Sequence, residues 1–309
     1  MAQVSMQQVK ELRDRTQAGL NDCKSALAET SGDMEAAVGV ILKKGLAKSA
    51  KRAGAVATEG VVAARVADGG KSAVLVEVNI QTDFAARNEE FLKFVDDVIA
   101  VALTSKDGDD LGSKPAPGGG GTLEERRQAL VGRLGENITI RRFSRLDVQE
   151  PGLVHAYVHM GGKIGALLAV ETGAPTSSDK LKTFVDETAM QVAAMAPQFL
   201  DSKTVSEDAK AKQREIFNAQ LAEEGKPEAA RPKIVEGKLA KWIKEVALLE
   251  QQSVIDADKT IEQIRAIIEK ELNSPLKLKA FVRFERGEGV EKPEGPDFAD
   301  EARRMAGQG

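Results

Sequence analysis

Cysteine is nearly absent from this chain. Among 309 residues there is one, Cys23, beside only two histidines. That set cannot form an internal disulfide and falls short of an ordinary structural zinc site, so a reducing compartment fits best. Aromatic residues are 4% of the chain; the core must be aliphatic, and any Phe left on the surface is a scarce resource. An excess of charge is also missing: 44 Lys and Arg stand against 48 Asp and Glu, a net charge of -4. This balance argues against a protein that holds nucleic acid by charge alone. No stretch approaches the roughly 18 apolar residues that would cross a membrane, and Met1 to Lys10 has no apolar core of a signal peptide. The expectation is a soluble, cytoplasmic protein with neither nucleic acid nor membrane as partner, long enough for about two domains.

What is present begins with a compact helical unit. Val9 and Leu12, then Cys23, Ala26 and Leu27, then Val38, Ile41 and Leu42 recur at helical spacing. Three short helices are expected. Gly19 separates the first two, Asp22 is read as the N-cap of the second, and Gly32 with Asp33 supplies a stop and a new cap. The basic run from Lys43-Lys44 through Lys48, Lys51 and Arg52 is read as a solvated helix and linker, not a phosphate-binding patch.

The central feature is an internal repeat. Gly60-Val61-Val62-Ala63-Ala64-Arg65-Val66, Gly69-Gly70-Lys71 and Leu75-Val76-Glu77-Val78 match Gly152-Leu153-Val154-His155-Ala156-Tyr157-Val158, Gly161-Gly162-Lys163 and Leu167-Leu168-Ala169-Val170. Each copy predicts an antiparallel hairpin. A helix follows each, with Phe91, Val95, Val98 and Ala102 on one face in the first copy and Leu181, Val185, Thr188 and Val192 in the second. A further helix and strand complete the copies: Leu123 to Leu134 then Ile138 to Arg145, and Thr260 to Leu272 then Phe281 to Arg286. The fold class is therefore α+β, a duplicated core whose small antiparallel sheets are each covered on one face by helices. Between the matched helices the first copy has Asp107 to Gly121, read as a flexible loop from its prolines and four consecutive glycines. The second copy instead carries two helices, Ser206 to Glu224 and a stripe of Val235, Leu239, Trp242, Ile243 and Val246, joined at Gly225-Lys226-Pro227. These form an expected antiparallel coiled-coil arm. A short helix, Asp297 to Met305, is expected last.

Several patterns that suggest chemistry do not survive inspection. Gly69-Gly70-Lys71-Ser72 has Arg65 where a phosphate-binding loop needs its first glycine, and a strand follows it instead of a helix. His155 and His159 lie in a strand, where four residues span about 13 Å and cannot share one ion. Cys23 sits on an apolar helical stripe, as a packing residue would. No cofactor and no enzyme activity are expected. Where the copies diverge, Thr82-Asp83-Phe84 faces Ala174-Pro175-Thr176. Two readings fit: Asp83 caps and Phe84 staples the next helix, or the pair is an interface anchor. A scaffold that binds through its helical arm is the rival reading.

Thr82-Asp83-Phe84, Val9-Lys10-Glu11-Leu12-Arg13 with Ala18-Gly19 and Asp22-Cys23-Lys24, Gly135-Glu136-Asn137-Ile138, and Phe281-Val282-Arg283-Phe284 with Gly287-Glu288-Gly289 resemble the bacterial elongation factor Ts family, in order and nearly end to end. The resemblance implies a guanine nucleotide exchange factor for elongation factor Tu that disturbs the magnesium and phosphate site of that GTPase. It also implies a ubiquitin-associated-like helical domain at 1–54, a core of 55–150 and of 151–200 with 251–290, a coiled-coil insertion at 201–250 and a C-terminal module at 291–309. It places Asp83 and Phe84 as the wedge, with Thr82 among the partner-binding residues and Leu134 and Gly135 as support. Lys10, Arg13, Leu20 and Asn21 are expected to meet the nucleotide domain of the partner, and His159, Val254 and Ile255 another of its domains. The chain departs from the family pattern at Leu20-Asn21, Ile80 and Gln252-Ser253. A homodimer within the complex is left open.

Overall fold

The computed structural model describes residues 4–16, 18–67, 69–149 and 151–291; the expected helix from Asp297 to Met305 and all but the first residue of the expected 291–309 module lie outside them. The chain opens with α1 (Met6–Thr16), α2 (Leu20–Glu29) and α3 (Met34–Arg52). Val9, Leu12, Cys23, Ala26, Leu27, Ala37 and Ile41 make one small aliphatic core. Asp33 caps α3 as expected, its side chain accepting from the Ala36 N–H. Asp22 does not cap α2. Gly19 is the N-cap, and Asp22 lies in the first turn, where a carboxylate is stabilised by the helix dipole without capping anything. The Lys43 to Arg52 run is helix throughout, and it is not wholly solvated: α3 continues beyond its own domain and lies on α6 (Leu123–Leu134). A Cβ on Gly132 would sit 3.3 Å from the Gly45 Cα, so two glycines let the helices approach closely.

The duplicated core matches the repeat. The first copy is β1 (Glu59–Val66), β2 (Ser72–Ile80), α4 (Asp83–Ala86), α5 (Glu89–Ala102), α6 and β3 (Ile138–Asp147). The second is β4 (Gly152–His159), β5 (Ile164–Thr172), α7 (Asp179–Met195), α10 (Ile261–Leu272) and β6 (Leu276–Glu285), with α8 (Glu207–Glu223) and α9 (Arg231–Val246) inserted between its helices. Strand orders are β1-β2-β3 and β4-β5-β6, all antiparallel. The likeness reaches small detail. Each sheet is bulged at the matched place, Glu77/Val78 and Ala169/Val170. Thr122 with Glu125 and Thr260 with Gln263 form matched capping boxes. Arg127 and Arg265 each donate at 2.6 Å to the first carbonyl of the following strand, that of Ile138 or Leu276. β6 begins five residues before the expected Phe281, because the alternation of Leu276 and Leu278 with Lys277 and Lys279 already has strand period.

Each sheet is covered on both faces, not one. Helices α5 and α6 cover the outer face of the first sheet, and α7 and α10 that of the second. The inner faces pack on each other through Val62, Ala73, Leu75, Val154, Leu167, Ala169 and Phe284. This explains why every residue of β2 is buried. The contact is nearly twofold: the Val62 N–H donates to the Gly162 carbonyl and the Val154 N–H to that of Gly70, both at 2.8 Å. Gly165 is required there, since a Cβ would lie 2.6 Å from Leu75 Cδ1 and 2.7 Å from Val62 Cγ1. The expected flexible loop at 107–121 is instead ordered. Leu111 and Ala116 enter the first core, and Arg126 on α6 donates to the carbonyls of Pro117 (2.5 Å) and Gly119 (2.6 Å) while pairing with Asp97 at 2.5 Å. Helices α8 and α9 form the expected antiparallel hairpin, closed by Gly225 at φ 70° and sealed by Leu221, Val235 and Leu239.

Candidate functional site

The segment that distinguishes the first copy begins where β2 ends. Thr82, in extended conformation, is the N-cap of α4, its hydroxyl accepting from the Ala85 N–H. Asn88 caps α5 in the same way, accepting from the Glu90 N–H at 2.8 Å. With both caps assigned, Asp83 is not one. Its carboxylate makes an exposed pair with Arg87 at 3.3 Å, a contact of little energy in water. Nor does Phe84 act as a staple. Ala86 turns into the core, whereas Phe84 points outward and is 83% exposed, more than any other large hydrophobic residue among those described. Leaving a Phe in water forgoes about 2 to 3 kcal/mol of burial. Of the two readings, the interface anchor is the one this exposure favours.

The turn is braced from behind. α6 ends at Gly135, whose φ of 74° is the left-handed C-cap conformation that glycine adopts freely. The reversal brings Glu136 against Thr82, whose N–H donates to Glu136 Oε2 at 3.0 Å and whose hydroxyl donates to Oε1 at 2.8 Å. Next to it the Asn137 N–H donates to Gln81 Oε1 at 2.7 Å, and Asn137 Nδ2 to the Ala55 carbonyl at 2.8 Å. Leu134 packs on the first core. Thr82, Asp83, Phe84, Leu134 and Gly135 thus form one structural unit, and Glu136 is its missed member. The signal for it lay in comparing the copies: Asn273 repeats the left-handed cap of Gly135, but Ser274 and Pro275 stand where the first copy has Glu136 and Asn137.

The other expected residues lie in separate places. Lys10, Arg13, Leu20 and Asn21 are all exposed on α1 and at the start of α2, over the buried Val9 and Leu12. Their domain meets α6 through α3, where Lys48 reaches Asp22 at 3.4 Å and the Gly132 carbonyl at 3.3 Å. His159 ends β4, with Nδ1 2.8 Å from the Tyr157 hydroxyl. Val254 and Ile255 are 43% and 55% exposed. Gln191, fully buried on α7, presents them: its Oε1 accepts from the Val254 N–H at 2.8 Å and its Nε2 donates to the Gln252 carbonyl at 3.0 Å. Sequence reasoning passed over Gln191 because it flanks the apolar stripe; a polar residue there was the available signal.

Among the described residues no group of three or more His, Cys, Asp and Glu could hold a metal, and no helix is long and apolar enough to cross a membrane. Cys23 is buried, and burial pushes its thiol above the ordinary value despite the Thr16 hydroxyl beside it. A cleft of about 800 Å³ lies between the helical domain and the first copy, bordered by Ile41, Phe94 and Leu130. None of the expected partner-contact residues lines it.

The model of the family described as elongation factor TS matches residues 81–288. A relative from Clostridium novyi (strain NT) bearing the name elongation factor Ts is 46% identical over 308 residues, covering 99% of each chain. Relatives of the same name from Clostridium botulinum (strain Alaska E43 / Type E3) and Clostridium perfringens (strain SM101 / Type A) are each 43% identical, covering 99% of this chain and 100% of their own.

Proposed function

Since the chain belongs to the elongation factor Ts family, we propose that it is a cytosolic guanine nucleotide exchange factor that binds elongation factor Tu in its GDP form and promotes GDP release. It makes and breaks no covalent bond. The observation that carries the reading is Phe84, 83% exposed on a braced one-turn helix that the second copy lacks.

The mechanism is a coupling of two binding equilibria. A GTPase that holds GDP at nanomolar strength has about 12 kcal/mol to be offset, more than a small competing surface supplies. A wide interface instead stabilises a conformation of the GTPase in which the magnesium and phosphate contacts are weak, so factor and nucleotide each lower the other's affinity by the same factor. Phe84 supplies apolar burial of about 2 to 3 kcal/mol in that conformation, and Asp83 competes for donors near the phosphates. Lys10, Arg13, Leu20 and Asn21 grip the nucleotide domain, while His159, Val254 and Ile255 hold another domain, making the wedge a fulcrum between two fixed points. Exchange runs in both directions, and net loading with GTP follows the nucleotide concentrations.

The test is stopped-flow release of a fluorescent GDP analogue from elongation factor Tu. The unaltered protein should accelerate release strongly and Phe84→Ala should lose most of that acceleration, while the fold is retained because the removed ring packs on almost nothing. Acceleration kept by the variant would remove the wedge role, and none by either protein would favour the scaffold reading.

A further inference from the structure

A one-turn helix such as α4 is too short to hold itself together in water. Nothing in its four residues, Asp83-Phe84-Ala85-Ala86, explains why Phe84 stays on the outside instead of folding down onto the apolar surface that takes Ala85 and Ala86. The explanation must come from the residues that hold the turn.

We propose that Glu136 is a positioning residue for exchange, its carboxylate locking Thr82 so that the Asp83-Phe84 turn is presented in one fixed orientation. The inference rests on the exchange reading above. Thr82 uses its hydroxyl in two directions: the proton goes to Glu136 Oε1 at 2.8 Å, and the oxygen accepts the Ala85 N–H at 3.3 Å. Once the proton is committed to the carboxylate, an oxygen lone pair is left to aim at Ala85, and each bond strengthens the other. The second carboxylate oxygen takes the Thr82 N–H at 3.0 Å, fixing the backbone of the cap as well as its side chain. These are charge-assisted bonds, the stronger kind. Glu136 is itself placed, since Gly135 sets its direction and Asn137, 7% exposed, ties the same strand start to Gln81 and Ala55. In the second copy the matched turn has Ala174 and Pro175 for Thr82 and Asp83, and Ser274 for Glu136. Cap, clamp and aromatic are absent together, as a single device would be.

The test uses the full chain and a double-mutant cycle read by stopped-flow GDP release from elongation factor Tu. Glu136→Ala, which removes both bonds to Thr82, should lower the maximal release rate about tenfold, near the factor set by losing hydrogen bonds to an exposed carboxylate. The isosteric Glu136→Gln, which keeps one acceptor, should lower it less. In a Phe84→Ala background, Glu136→Ala should add less than a further twofold, because the clamp then has no ring to present. Amide hydrogen exchange of the protein alone supplies a readout independent of the GTPase: Glu136→Ala should speed exchange at Thr82 and Ala85 and leave β2 and β3 unchanged. Normal release rates for Glu136→Ala, or multiplicative effects in the double variant, would overturn the inference while leaving the exchange reading in place. A Phe84→Ala protein with undiminished activity would instead remove the wedge role, and the inference with it, whereas no acceleration by the unaltered protein would overturn the exchange reading itself.

Discussion

Replacing Glu77 by Gln tests how the two copies are fastened together. Glu77 sits in the middle of β2 with its side chain fully buried. It accepts from Arg141 at 2.8 Å, Arg142 at 2.6 Å and the Gly287 N–H at 2.8 Å, and Asn79 Nδ2 donates to it at 3.1 Å. Arg141 and Arg142 come from β3, whereas Gly287 follows β6, so one carboxylate ties the first sheet to the end of the second. Arg142 also lies 4.3 Å over the Phe284 ring in the inter-sheet core. Removing one partner of a fully buried ion pair costs about 3 to 5 kcal/mol. Here Arg141 and Arg142 keep 23% and 31% of their side-chain exposure and regain part of their hydration, and Gln keeps one acceptor. The expected loss at pH 7 is therefore about 2 kcal/mol, read as a lower urea midpoint with an unchanged slope. The pH dependence sharpens the test. Burial pushes the Glu77 carboxyl up, but the Gly287 N–H, the two guanidinium hydrogen bonds and the charge of Arg142 outweigh it, and the group titrates below its ordinary value. A carboxyl depressed in the folded state contributes stability above its unfolded value, about 4.3, and loses it as pH falls through the folded value. The gap between the two proteins should be widest near neutrality, begin to narrow as pH falls below the unfolded value of about 4.3, and close as pH falls through the lower folded value. No loss at pH 7, or a gap equally wide from pH 7 to pH 3, would refute the reasoning.

Two further outcomes are expected. Gly165→Ala pushes a methyl into Leu75 and Val62 between the sheets and should destabilise by about 1 to 3 kcal/mol through overpacking, whereas Gly39→Ala, inside α3 with nothing within 4 Å, should stabilise by about 0.5 to 1 kcal/mol; thermal unfolding of the two side by side checks both signs. Cys23, buried with its thiol pushed up, should resist alkylation at pH 8 in the native protein and react fully in denaturant, so rapid stoichiometric labelling of the native chain would contradict its packing role.

What the sequence by itself determined was local or repeated. Helical faces such as Phe91, Val95, Val98 and Ala102, the two hairpins about paired glycines, and the duplication are visible because period and turn chemistry are written into neighbouring residues. The candidate site was legible only in part: the divergence at Thr82-Asp83-Phe84 marked the place, but pattern alone allowed Phe84 to pack inward. Tertiary structure decided its exposure, because that depends on Glu136, which is 54 positions away in the chain and meets Thr82 only when β2 and β3 pair. It also decided that the sheets stack on each other. An apolar strand such as β2 declares that both its faces need cover, yet nothing in its period says what the second cover is. The ordering of residues 107–121 was hidden for the same reason. Glycine and proline report conformational freedom, while Arg126 and the core that receives Leu111 and Ala116 remove that freedom from outside the segment. Faces are a property of sequence; which faces meet is settled only by the whole chain packing at once.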